Sequence, residues 1–99
     1  MSYDPGAIGS ALSAAVGDDP ALVADLRRAF IESAMGHLET LGRVRSEADW
    51  RAAAWRLQGL AASFGAARLT TLAEQAAMAQ PGDLATLSGL GAAIAQFAD

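Results

Sequence analysis

Apolar residues recur along this chain with the period of helices, and no β-branched run alternates as a strand would. From Asp19-Pro20 onward, Val23, Leu26, Phe30, Ala34, Leu41 and Val44 return at helical spacing and predict one long helix from about residue 20 to about residue 45. Asp19 can cap it and Pro20 suits its first position. Gly36 inside it costs about 1 kcal/mol against Ala and predicts a bend or a close helix crossing. Before it, Asp4-Pro5 and Gly17 bracket a shorter helix over about 5–16, weakened by its glycines. After it, a helix begins near Glu47 or Asp49 with Ser46 as cap and runs to about Phe64, where Gly65 supplies a left-handed stop. A further helix covers about 66–79, with Leu69, Leu72, Ala73 and Ala76 on one face. Pro81-Gly82 breaks the pattern, Asp83 can cap the last helix, and Leu87, Leu90, Ile94 and Phe97 form its apolar face. Short connections between amphipathic helices predict a single all-α domain over residues 1–99, an up-and-down antiparallel four-helix bundle with the short additional N-terminal helix across one end. Its many alanines bury little area each, so Phe30, Phe64, Phe97, Trp50 and the leucines should dominate the hydrophobic stabilisation.

The helix around residues 47–64 separates two tryptophans. At about 100° per residue, Ala53, Leu57, Leu60, Ala61 and Phe64 fall on one stripe with Trp50 beside it, which marks the core side. Arg51, Trp55, Gln58, Gly59 and Ala62 fall opposite, with Trp55 roughly 180° from the centre of the stripe. A large aromatic is thus expected to point at solvent or at a partner. One reading lets Trp55 lie flat on the surface. The other makes it an interface anchor, because Trp and Arg commonly anchor interfaces and small neighbours leave room for another backbone.

Composition narrows the classes. The 99 residues are 53% hydrophobic and 18% charged, which suits one small domain with a packed core. No cysteine is present, so disulfides, thiol catalysis and Cys metal sites are excluded, and a reducing cytoplasmic setting fits. No apolar run approaches the roughly 20 residues that span a bilayer, and the opening Met1-Ser2-Tyr3-Asp4-Pro5 lacks an export signal. No membrane role is expected. The net charge of -4 is unevenly spread: residues 1–42 balance at -4, residues 43–68 at +3 and residues 69–99 at -3. The basic stretch holds Arg43, Arg45, Arg51, Arg56 and Arg68 and includes the Trp55 helix. It reads either as a solvated helix face or as a patch that attracts an acidic partner surface. Nucleic acid is a poor partner for an acidic chain with so small a basic patch.

The run Ala54-Trp55-Arg56-Leu57-Gln58-Gly59-Leu60-Ala61-Ala62-Ser63-Phe64-Gly65-Ala66 resembles the central helix of histidine-containing phosphotransfer (HPt) domains. In that family the order is His, any residue, Leu, Lys, Gly and, a few residues later, Gly-Ala. Leu57, Gly59, Gly65 and Ala66 match; Trp55 stands at the phosphoacceptor His position and Gln58 at the Lys position. Asp18-Asp19-Pro20, the long helix, Asp49-Trp50 and Ala67-Arg68-Leu69 extend the resemblance over most of the chain. The resemblance implies a helical bundle that docks a receiver domain in bacterial two-component phosphorelay signalling, or the histidine kinase surface that meets one. It implies Trp55 at the docking centre, Gln58 at its flank and Gly59 as clearance, in a degenerate member without the nucleophile.

Indole cannot take over the imidazole's task. Its nitrogen lone pair belongs to the ring system, whereas phosphoryl transfer through His requires a free lone pair to attack phosphorus. Gln58 also removes a cation. The one histidine, His37, falls on the apolar stripe of the long helix with Leu26, Phe30, Leu41 and Val44, and is expected to be buried or half-buried and satisfied by a hydrogen bond. One His and no Cys make a transition-metal site within the chain improbable, and Asp18-Asp19 suits a helix start better than catalysis. No glycine-rich phosphate loop or Ser-His-Asp set is present, and no cofactor is implied. The expectation is a noncatalytic HPt-like interaction module using Arg51, Trp55, Gln58, Gly59 and Ala62. Two alternatives stand beside it: a receiver-aspartate phosphatase in which the Gln58 amide orients the attacking water, and a structural module with Trp55 in a homodimer seam.

Overall fold

The computed structural model describes residues 19–98, and every regular element among them is a helix: α1 (Pro20–Arg43), α2 (Glu47–Ser63), α3 (Ala67–Ala77) and α4 (Leu84–Ala95). The short helix expected over 5–16 lies outside the described residues. Consecutive helices pack on one another and α1 closes against α4, so the four surround one core.

Local chemistry sets the boundaries. The Asp19 carboxylate accepts the backbone N–H groups of Ala21 at 3.0 Å and Leu22 at 3.3 Å, with Pro20 as the first helical residue. α1 ends where Val44 turns extended. The Ser46 hydroxyl then accepts the Asp49 N–H at 3.1 Å and opens α2, while Asp83 caps α4 through the N–H and hydroxyl of Thr86. At the far end of α2, Gly65 takes φ 72°, so that its N–H reaches the Ala62 carbonyl at 3.1 Å and the Ala66 N–H reaches the Ala61 carbonyl at 2.9 Å. That pair of bonds is a Schellman stop, and it satisfies two carbonyls the helix end would otherwise orphan.

Phe30, Leu41, Trp50, Leu57, Leu69, Leu90, Ile94 and Phe97 are fully buried, each contributing about 1.5–3 kcal/mol of burial. Phe30 ties one end together: its ring lies 4.9 Å from that of Phe64 and 5.2 Å, edge-on, from that of Phe97. Phe64 and Leu60 are only half-buried, whereas Ala54 is wholly buried. The buried stripe of α2 is therefore rotated toward α3 relative to the expected one, because Ala54 and Ala61 allow α3 and its own buried Ala73, Ala76 and Ala77 to come close. Trp50 locks that seam. Its indole N–H donates to the Ala76 carbonyl at 2.7 Å, in the last turn of α3.

Gly36 does not mark a close crossing. α1 runs through it unbroken and a Cβ there would meet nothing within 4 Å. Gly91 of α4 faces α1: a Cβ there would stand 3.5 Å from Leu38 Cδ2, an ordinary van der Waals contact. His37 is half-buried as expected, but no hydrogen bond to its ring occurs among the described residues. Its ring sits at the edge of the stripe, where solvent can serve instead. Among the described residues no helix is long and apolar enough to cross a membrane.

Candidate functional site

The outward face of α2 gathers the five residues singled out from the sequence. Trp55 is 48% exposed, against 1% for Trp50 five residues earlier on the same helix. Arg51 lies one turn before Trp55, Gly59 one turn after it, and Ala62 follows Gly59 by three residues, all three exposed. On a helix these spacings make a continuous strip. Gln58 belongs to its border: it is half-buried rather than exposed, because its position about 100° from Leu57 carries it toward α3. A Cβ built on Gly59 would meet nothing within 4 Å, so no neighbour among the described residues requires glycine there. The Gly59 carbonyl accepts the Ser63 hydroxyl at 2.8 Å, which keeps Ser63 folded onto its own helix.

The two halves of the run from Ala54 to Ala66 thus do different work. Leu57 fills the core, and Gly65 and Ala66 terminate the helix. Trp55 and Gln58 are each partly covered and Gly59 is exposed, so these three reach the outer surface.

Of the arginines between residues 43 and 68, Arg51 and Arg56 are carried by α2 itself. Arg28 and Asp25 form the single ion pair among the described residues, at 3.1 Å. None of Arg43, Arg45, Arg51, Arg56 and Arg68 is paired, although Glu47 stands one turn before Arg51. All five are exposed and no acidic residue interrupts the strip from Arg51 to Ala62. His37 lies on a different helix and half-buried, away from this surface, and no group of His, Cys, Asp or Glu among the described residues could hold a metal ion. The strip can offer an aromatic surface, guanidinium donors and one amide; it offers no nucleophile.

One feature of the surface carries no sequence signal. Met78, at the end of α3, is 86% exposed and borders a groove that also includes Arg51. Helical periodicity ends near it at the Pro81-Gly82 break, so its direction depends on how α3 meets α2, which the pattern does not encode. In comparisons with protein-family models, curated proteins and solved structures, nothing matches this chain.

Proposed function

We propose that this chain is a noncatalytic, HPt-like interaction module that docks its Trp55 face on a receiver domain, or on the histidine kinase surface that meets one, and acts in the cytoplasm. The observation that carries the reading is a half-exposed tryptophan on a helix whose other tryptophan is wholly buried, set in a strip with an unpaired arginine and no acid. An exposed Trp beside Arg and small residues supplies an anchor, a charge partner and clearance. The frame for this surface is an up-and-down antiparallel bundle of the four helices. Because the indole has no free lone pair, the module occupies the docking position without accepting phosphate. It regulates phosphoryl flow by competition or scaffolding.

The test is to incubate the protein with a phosphorylated kinase and its receiver, following labelled phosphate and binding together. The expected result is binding that is lost in Trp55→Ala, with no label on this chain. Label on the protein itself would refute the noncatalytic assignment, and full binding by Trp55→Ala would refute the docking face.

A further inference from the structure

We propose that residues 5–16 form a helix seated along the seam between α1 and α4, rather than across the end of the bundle, and so complete the domain as a fifth, antiparallel helix. This does not depend on the Trp55 reading, because α2 packs on α1 and α3 whereas the seam belongs to α1 and α4. Two observations mark the seam as a face that needs cover. From Leu84 to Ala98 no residue is charged, yet Leu84, Ser88, Ala92, Ala95 and Ala98 are exposed. A surface helix ordinarily turns a charged or polar face to water, and one that is apolar all round is a covered helix. The seam also opens into a groove of about 400 Å³ at the end where α1 begins and α4 finishes. That is the space of about thirteen waters at ~30 Å³ each, more than one side chain fills. The buried Phe97, with Ala24, Ile31 and Ala98, supplies the apolar lining, and the charged lining comes from α1 alone.

The chain itself holds a segment that fits. Between Pro5 and Gly17 no residue is charged. At about 100° per residue, Ile8, Ala11, Leu12 and Ala15 share one side of a helix there, and Gly6, Ser10 and Ser13 take the other. Such a helix buries one apolar stripe, shows water only glycine and serine, and brings no unpaired charge into the seam. Its connection to α1 is short. α1 starts at Pro20, so Gly17-Asp18-Asp19 is the whole link, a length that joins antiparallel neighbours. Twelve residues rise about 18 Å, which is also the rise from Asp19 to Ile31 along α1. Counted in equal steps from Val16 and from Pro20, Leu12 stands level with Ala24, and Ile8 stands level with Arg28 and one turn short of Ile31. The methylenes of Arg27 can lie under these side chains while its guanidinium stays in water. Laid across the bundle end, the same segment would leave the groove and the side of α4 bare.

The experiment uses the whole chain with carbon-labelled methyl groups and records nuclear Overhauser contacts in the wild type, then melting temperatures of wild type, Leu12→Asp and Ser10→Asp. The expected result is contact between the methyls of Ile8 and Leu12 and those of Ala24, Ile31 and Ala98. Leu12→Asp, on the seated side, should lower the melting temperature by about 4–8 °C. Ser10→Asp, on the open side, should leave it unchanged. The contacts are read in the wild type, so the test holds even where Leu12→Asp folds poorly. Absence of these contacts, or equal melting of the two variants, would overturn the proposal. Contacts that cross from labelled to unlabelled copies in a mixed sample would make a second copy the occupant and overturn it as well.

Discussion

Replacing each tryptophan of α2 by phenylalanine puts the same chemical change at two positions with opposite surroundings. At Trp50 the change deletes a buried 2.7 Å hydrogen bond to the Ala76 carbonyl. Such a bond is worth about 1 kcal/mol net, and the low side applies because Ala76 also accepts the Ala79 N–H at 3.0 Å and is not orphaned. The smaller ring also leaves a void in the α2–α3 seam. Truncating a buried aromatic to alanine costs about 3–5 kcal/mol, so removing part of one ring should cost about 1 kcal/mol. The expected total for Trp50→Phe is about 2 kcal/mol, a fall in Tm of about 8–16 °C for a domain of this size. At Trp55, half-exposed and without a hydrogen bond, the same substitution should stay within about 0.5 kcal/mol. Urea unfolding followed by far-ultraviolet circular dichroism measures both, with an unchanged m-value confirming that the midpoints report stability. Equal losses at the two sites, or a neutral Trp50→Phe, would refute the division of labour on which the docking face depends.

Two further outcomes follow from the helix ends. The Asp83 carboxyl is held below its ordinary value, first by the hydrogen bond from the Thr86 hydroxyl and then by the Thr86 backbone N–H. A carboxylate whose folded pKa is depressed stabilises the fold above its unfolded pKa, and that contribution disappears as pH falls through the folded value. Melting temperature measured from pH 7 downward should therefore include a loss beginning near the ordinary Asp range and continuing below it, and Asp83→Asn should reduce that acid-side loss. The second concerns Gly65, whose φ of 72° costs a β-carbon about 1–2 kcal/mol. Gly65→Ala should lower stability by that amount in urea unfolding, and an unchanged midpoint would show that the Schellman stop can be replaced.

The same helix ends explain what was legible in the sequence. Asp19-Pro20, Ser46, Gly65 and Asp83 act through backbone groups within three or four residues, and each helix start or stop they predict is found. The separation of Trp50 from Trp55 was also legible, because it needs only the helical period. The exact buried stripe of α2 was not. Ala54 counts little on a hydrophobic wheel, yet it is buried because its small size admits α3, and that rotation leaves Leu60 and Phe64 half-covered and draws Gln58 to the edge. Gly36 and Gly91 show the same limit. Both are glycines in helices, and only the packing places Gly91 against Leu38 while Gly36 faces open space. Met78 joins the candidate surface through contact between α2 and the α3–α4 connection, which no local pattern records.

Gly59 offers the sharpest separation of folding from function. A glycine inside a helix costs about 1 kcal/mol relative to alanine, and here no side chain or backbone among the described residues occupies the space a Cβ would take. Folding alone would therefore favour alanine. Gly59→Ala should raise stability by about 0.5–1 kcal/mol, which is roughly 2–8 °C in Tm for a domain of this length. If the position instead provides clearance for a partner's backbone, Gly59→Ala should weaken partner binding while it stabilises the free protein, and Gly59→Leu should abolish binding with the bundle intact. The two measurements move in opposite directions under the clearance argument. A variant that gained stability and kept full affinity would leave Gly59 without a role at the interface, and would confine the docking surface to the side of α2 that carries Arg51 and Trp55.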